Sequence, residues 1–316
     1  MRINLVHAIP SVSSAFGQDF DGFSAAIDEV AKHHQVRWLN VHPYNDDWRE
    51  NRRLVADADF VLVRSDWGWY PDALAAPLLT RSGVPAGLVI AGSSRPQSLR
   101  QSLRYDVLFY ETPWYEQFVG DHPLAIEAFG IDTRVMRDTG TARDIDWLFV
   151  GRLAAFKRPE RLLAKSGRRV IVGDLSSASE STRHRFRAHG IELVDHVQPA
   201  QLAQLYNRSH HALVPCTLQG GGERAVLEAR ACGCRVEIAD DNPKLATLLD
   251  SPIRSHEDYA QLLLRGIDQV MNGLRTTPRA KRAGEFERST QMLVDKARRA
   301  PETLQIRWRN SRFIRG

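Results

Sequence analysis

Two stretches of the chain concentrate the residue types that hold phosphate. In Phe149-Val-Gly-Arg-Leu-Ala-Ala-Phe-Lys-Arg-Pro159 an apolar run ends at Gly151. Arg152 and Lys157 then follow from one short loop, ahead of a proline that suits a helix start. Glycine permits a tight exit from a strand and close approach of a ligand to the backbone. A guanidinium and an ammonium beside a helix start suit a diphosphate. Taken alone, the stretch also describes two solvent-exposed surface cations, which is the simpler reading.

The second stretch is Val214-Pro-Cys-Thr-Leu-Gln-Gly-Gly-Gly-Glu-Arg-Ala-Val-Leu-Glu228. An apolar run enters a triple-glycine turn, Gly220 to Gly222, and a helix follows. Backbone N–H groups at such a helix start form an anion site that the glycines leave open. Glu228 falls on the same helix face as Arg224, where its carboxylate could accept hydrogen bonds from a ribose diol. In isolation an i,i+4 ion pair, worth about 0.2–0.5 kcal/mol, is again the simpler reading.

The elements that must position these loops follow a repeating pattern. Short apolar runs alternate with segments of helical period, which predicts parallel βα units. Strands are expected at Ile3–His7, Val36–Val41, Phe60–Val63, Gly87–Ile90, Val107–Tyr110 and Ala125–Phe129. A second set is expected at Trp147–Val150, Val170–Val172, Ile191–Val194, Ala212–Val214 and Val236–Ile238. Helices are expected at Asp21–Lys32, Pro71–Thr80, Pro96–Leu103, Trp114–Val119, Pro159–Ala164, Ser177–His189, Pro199–Asn207 and Gly222–Cys232, and from about His256 to the end. The polar stretch Asp132–Asp144, with Gly140, reads as a linker. The expected architecture is α/β, with two doubly wound parallel-sheet domains facing a cleft. Residues 1–135 are expected to form a first domain, 145–275 a second, and 276–316 basic helices packing back towards the first domain. Ligands bind at the strand ends of such sheets, although the architecture alone selects no function.

Length and composition agree with this picture. A chain of 316 residues, 43% hydrophobic and 26% charged, can bury two cores. No apolar run approaches the roughly 20 residues of a membrane span. Arg2 precedes apolar residues, but His7 and Pro10 interrupt them, so a buried first strand is expected rather than a signal peptide. Cys216, Cys232 and Cys234 are odd in number and lack the spacing of a metal site, which predicts reduced thiols and a cytoplasmic setting. The net charge of +5 is local: Arg275–Arg315 carries twelve Lys/Arg against four Asp/Glu. That segment fits either peripheral contact with anionic membrane or a solvated helical face. Nucleic acid is not expected, since no reader motif is present.

The Gly-Arg-Leu-x-x-x-Lys loop at Gly151–Lys157, followed about seventy residues on by Leu227-Glu-Ala-Arg-Ala-Cys-Gly233, resembles the group-1 glycosyltransferases of the GT-B fold, those like family 4. Phe129-Gly-Ile-Asp-Thr133 and Val197-Gln-Pro-Ala-Gln-Leu-Ala-Gln-Leu-Tyr206 are similar to two further segments of that family. The resemblance implies a nucleotide-sugar donor, an acceptor hydroxyl, retention of anomeric configuration, and no metal or other cofactor. It places Arg152 and Lys157 on the donor pyrophosphate and Glu228 on the ribose. Gly151, Gly221 and Gly222 would lie close to the diphosphate or the sugar, and Val197 beside the base.

Three departures accompany it. The family's first glutamate falls on Gly220, so Gln219 or Glu223 would have to take its place. The stretch Val89–Ser94 lacks the family's histidine. The double glycine of the first loop is reduced to Gly17, an acceptor-side candidate. Trp67, in Asp66-Trp-Gly-Trp-Tyr70, could stack on an acceptor or simply pack at a strand-to-helix junction. His196 and Trp308 read as ordinary loop and helix residues at least as well as ligand contacts. Two alternatives remain beside sugar transfer: a nucleotide-sugar epimerase, and a non-catalytic nucleotide-binding relative.

Overall fold

The structure, a computed structural model, describes residues 1–8, 22–42, 46–65, 75, 78–79, 82–90, 105–119, 122–176, 178–218 and 220–273. Two separate sheets carry the chain. The first contains β1 (Arg2–His7), β2 (Gln35–Asn40), β3 (Phe60–Ser65), β4 (Ala86–Ile90), β5 (Val107–Tyr110) and β6 (Ala125–Glu127) in the order β2-β1-β3-β4-β5-β6. The second contains β7 (Ile145–Val150), β8 (Arg169–Val172), β9 (Ile191–Val194), β10 (Ser209–Val214) and β11 (Arg235–Ile238) in the order β11-β10-β7-β8-β9. Every pairing is parallel. Strands β4 and β5 are buried along their whole length, as expected where both faces of a parallel sheet are covered. Both sheets reverse their order beside their first strand, between β1 and β3 and between β7 and β10. Those crevices are where a doubly wound sheet receives a ligand.

The helices around the sheets are α1 (Gly22–Ala31), α2 (Trp48–Leu54), α3 (Glu116–Val119), α4 (Glu180–Ala188), α5 (Pro199–Asn207), α6 (Glu223–Ala231), α7 (Pro243–Ala246) and α8 (His256–Met271). Several of their starts carry recognisable caps. Asn242 accepts a hydrogen bond from the Leu245 N–H at 3.2 Å, with Pro243 in the first turn. Ser255 and Asp258 form a reciprocal capping box at α8.

The structure corrects several element assignments. Pro159–Ala164 is a 3-10 helix rather than an α-helix. It follows Arg158, whose left-handed φ of 51° ends one tight turn and begins the next. Trp114–Val119 divides into a 3-10 turn, Pro113–Tyr115, and α3. Helix α2 lacks any buried residue and so leaves no apolar stripe to read. The predicted helix Pro96–Leu103 and most of Pro71–Thr80 lie outside the described residues, as does the basic segment beyond residue 273. Among the described residues no helix is long and apolar enough to cross a membrane, and all three cysteines are buried free thiols.

Residues 132–144 have no regular structure and run along the second sheet's domain. Thr139 donates its backbone N–H to Asn207 Oδ1 at 2.7 Å, and Arg143 donates to the Cys232 carbonyl at 2.9 Å. Helix α8 crosses to the first sheet, packing on α1, β5 and β6. Its Tyr259 is fully buried against Phe23 and Phe129. The crossing is unusually close. Ile131 pairs with Ser255, and a Cβ on Gly130 would enter the Ser255 carbonyl, while one on Gly22 would enter the Gly130 carbonyl. Three backbone segments are thus stacked with no space for a side chain between them. Gly130→Ala is expected to cost about 2–3 kcal/mol through overpacking against backbone that cannot rotate away. Its denaturation midpoint should fall with an unchanged m-value.

Candidate functional site

The reversal point between β7 and β10 delivers both glycine-bearing loops to one place. Beyond β7, Gly151 has φ of 148°, a conformation that side chains rarely adopt. The chain then turns through Ala155–Lys157, a single 3-10 turn. Beyond β10, Thr217 donates its N–H to the Phe156 carbonyl at 2.9 Å, tying the second loop to the first. A Cβ on Gly220 would lie 2.6 Å from the same carbonyl oxygen, so glycine at that position is what allows the loops to touch.

Lys157 spans the junction. Its methylenes lie 3.7 Å from where a Gly151 Cβ would stand, and its Nζ lies 3.7 Å from the equivalent point on Gly221. Burial lowers the Lys157 ammonium below the usual lysine range; Cys216 and Glu223 oppose the shift, and repulsion from Arg152 and Arg224 adds to it. Arg152 is half-buried, with its guanidinium 5.3 Å from the centre of the Phe156 ring. Three cations therefore converge near the start of α6. Gly222, with φ of 112°, caps that helix without a side-chain acceptor, so its first N–H groups add to the positive field. This arrangement favours an anion with more than one charge.

Glu223 opens α6 and is 4% exposed. Its carboxylate forms an ion pair with Lys244 of α7, itself 1% exposed. One of its oxygens also lies 3.6 Å from the Gly221 Cβ position, which the Lys157 ammonium approaches to 3.7 Å. Tyr115, fully buried in the Pro113–Tyr115 turn of the first domain, feels the Glu223 charge; burial first, and then that charge, raise its phenol well above the usual range. The turn packs on α7, so this buried group joins the two halves of the molecule.

Glu228, one turn further along α6, is 6% exposed, with Arg224 Nε 3.6 Å from its carboxylate. It lines a cavity of about 140 Å³ together with Gly22, Ser24, Asp132, Arg134 and Pro199. Arg224 thus links the two features seen in the sequence, pairing with Glu228 while repelling Lys157. Val197 lies in the turn between β9 and α5, packed against the core, and His196 beside it is exposed. Gln219, Gly17 and Trp67 lie outside the described residues.

Sequence reasoning missed three features of this region. Lys244 sits among apolar neighbours with nothing in the local pattern to mark it; only Asn242-Pro243 signalled a helix start there. The other two belong to the first sheet's reversal point, where His7 ends β1 and Arg64 lies near the end of β3. Burial, and then Arg64, push the His7 imidazole down to about 3, so it is neutral at physiological pH.

No protein-family model matches the chain, and the comparison with curated proteins finds no relative. Solved structures do match. The chain is similar to AviGT4, a glycosyltransferase involved in avilamycin A biosynthesis, at 15% identity and a TM-score of 0.57, over 86% of this chain and 98% of that one. It is similar to Anabaena HepE in complex with UDP and glucose at 12% identity and a TM-score of 0.55, over 94% and 99%. It is also similar to the UDP-GlcNAc 2-epimerase of Neisseria meningitidis bound to UDP-GlcNAc, at 12% identity and a TM-score of 0.51, over 95% and 100%. At these identities the likeness establishes the fold, which is GT-B: two Rossmann-like domains with parallel sheets.

Proposed function

We propose that the chain is a glycosyltransferase that moves a sugar from a nucleoside-diphosphate donor to an acceptor hydroxyl. The observation that carries this reading is the convergence of Lys157, Arg152 and Arg224 on the start of α6, around Gly151 and Gly221. Neighbouring cations that repel one another are stabilised by a dianion, and a pyrophosphate leaving group gains charge as its bond to the sugar breaks. Fixed positive charge at that position lowers the barrier, since the loops need not reorganise during the reaction. The side chains and the helix start supply positive charge that a metal ion would otherwise bring. The Glu223 charge favours the Lys157 ammonium, and Glu223 is itself held by Lys244, which makes it a positioning residue in this reading.

Glu228 is assigned to the ribose hydroxyls, with Val197 towards the base and Gly221 and Gly222 against the diphosphate or sugar. The acceptor would lie across the cleft, near the ends of β1 and β3. Retention at the anomeric carbon follows the GT-B relatives that the sequence motifs resemble. Glu228→Gln is expected to weaken nucleoside diphosphate binding while leaving a 2′,3′-dideoxy analogue nearly unaffected, a selective loss of roughly 1.5–3 kcal/mol for a charged hydrogen bond. Calorimetric titration of both ligands checks this; equal losses would remove the ribose role.

An epimerase is the second reading, kept because a nucleotide-sugar epimerase shares the fold at comparable similarity. It calls for carboxylates free to work on the sugar, whereas Glu223 is tied to Lys244. Incubation with a panel of nucleotide sugars separates the two. Release of nucleoside diphosphate with a glycosylated acceptor supports transfer, and an isomerised sugar without an acceptor supports epimerisation. Donor-dependent stabilisation with neither product points to a binding protein.

A further inference from the structure

The crossing of α8 over α1 carries a second side-chain cluster, separate from the phosphate loops. His256 opens α8 with its ring fully buried, and among the described residues no hydrogen bond reaches either ring nitrogen. A buried imidazole ordinarily has partners for its nitrogens. Here carboxylates surround it instead. Nε2 lies 3.0 Å from a Glu257 oxygen and 3.9 Å from an oxygen of Glu29 on α1. On the opposite side, Nδ1 lies 3.6 Å from Asp132 Oδ1. The ligand atoms of Glu29, His256 and Glu257 all fall within 4.8 Å of one another.

These spacings suit a small divalent cation. Zinc bound at about 2.0–2.1 Å in a tetrahedral site separates its ligands by about 3.4 Å, a value that the two Nε2 distances bracket. Asp132 stands where an outer carboxylate receives the Nδ1 proton of a metal-bound histidine, fixing the ring and its tautomer. One imidazole with two carboxylates suits zinc or a similar borderline metal better than magnesium, which favours an all-oxygen octahedral shell. Two cations share the neighbourhood. Arg134 holds Asp132 through bonds of 2.9 and 2.8 Å, leaving the three inner ligands untouched. Lys32 contacts both oxygens of Glu29, but its side chain is 61% exposed and can swing into water. Glu257 is about half exposed, which gives a metal access and a fourth position to water.

We propose that Glu29, His256 and Glu257 form a zinc-type divalent cation site, oriented by Asp132, that clips α8 to α1 at the joint between the domains. The site is structural: it ties the crossing helix to the first domain and stands apart from the loops assigned to the diphosphate. Its ligands come from opposite ends of the chain, so no spacing motif announces it.

The test is calorimetric titration of the metal-stripped full chain with zinc chloride, with magnesium chloride as control. One equivalent of zinc is expected to bind and to raise the melting temperature, while magnesium gives no saturable binding. Glu257→Gln and Glu29→Gln should each weaken zinc binding at least tenfold and abolish the thermal shift. His256→Asn should remove both effects; if it fails to fold, the two glutamate variants carry the test, since both side chains are partly exposed. Absence of saturable zinc binding, or binding of equal strength in both glutamine variants, would overturn the proposal.

Discussion

Lys157→Ala is expected to lower kcat/KM for the nucleotide-sugar donor by about 100–1000-fold, the range found when one preorganised charge-stabilising donor is removed from an active site. The loss should be in phosphate recognition. Affinity for the nucleoside diphosphate should drop steeply, and affinity for the free nucleoside should stay near that of the unmodified protein. Stability should change little, because the variant also removes a desolvated ammonium that Arg152 and Arg224 repel. Arg152→Ala should act in the same direction but more weakly, since that guanidinium is half-exposed and already rests on Phe156. The pH dependence follows from the same burial. The Lys157 ammonium sits below the usual lysine range, so as pH rises the free protein loses this charge earlier than an ordinary lysine would. Diphosphate affinity should therefore fall on the alkaline side. Bound diphosphate holds the proton, so the fall should be clearer in kcat/KM than in kcat. Equal losses of nucleoside and nucleoside diphosphate in Lys157→Ala would remove the phosphate assignment.

Lys244→Met is expected to cost about 3–5 kcal/mol, because it strands the Glu223 carboxylate in a site where both partners are almost fully buried. The consequence is specific. Restoring balance with Glu223→Gln in the same chain should recover much of the stability, since the penalty comes from an unpaired buried charge rather than from lost packing. The double variant should nonetheless stay impaired with the donor, because Lys157 would lose the nearby Glu223 charge that favours its ammonium. Chemical denaturation of the two single variants and the double variant measures the coupling. If the losses simply add, Glu223 and Lys244 are not coupled in the way their buried contact indicates.

Much of this architecture was legible along the chain. Runs such as Phe60-Val-Leu-Val63 and Trp147-Leu-Phe-Val150 are too short and too apolar for surface helices, and their regular alternation with helical segments forces parallel pairing. Val107–Tyr110, Ile191–Val194 and Pro199–Asn207 were placed to the residue. Pro159–Ala164 was misjudged because proline at a first turn suits a 3-10 helix as well as an α-helix, and local pattern does not separate them. Helix α2 was missed because it buries nothing.

The division at the site has the same origin. Gly151, Gly220, Gly221 and Gly222 could be picked out by type, because a loop that must approach another backbone or a ligand has few other residues available. Arg152, Lys157 and Glu228 could be picked out by their spacing from those glycines. What the chain could not state is which charges end up facing one another. Lys244 meets Glu223, Asp132 and Glu29 meet His256, and His7 meets Arg64 only because strands and helices distant in sequence converge. A side chain's burial and its charged neighbours are properties of that convergence. The local pattern therefore specified the strands and the glycine loops, while the electrostatics of the cleft and of the joint were decided by tertiary packing, where desolvation makes each pairing matter.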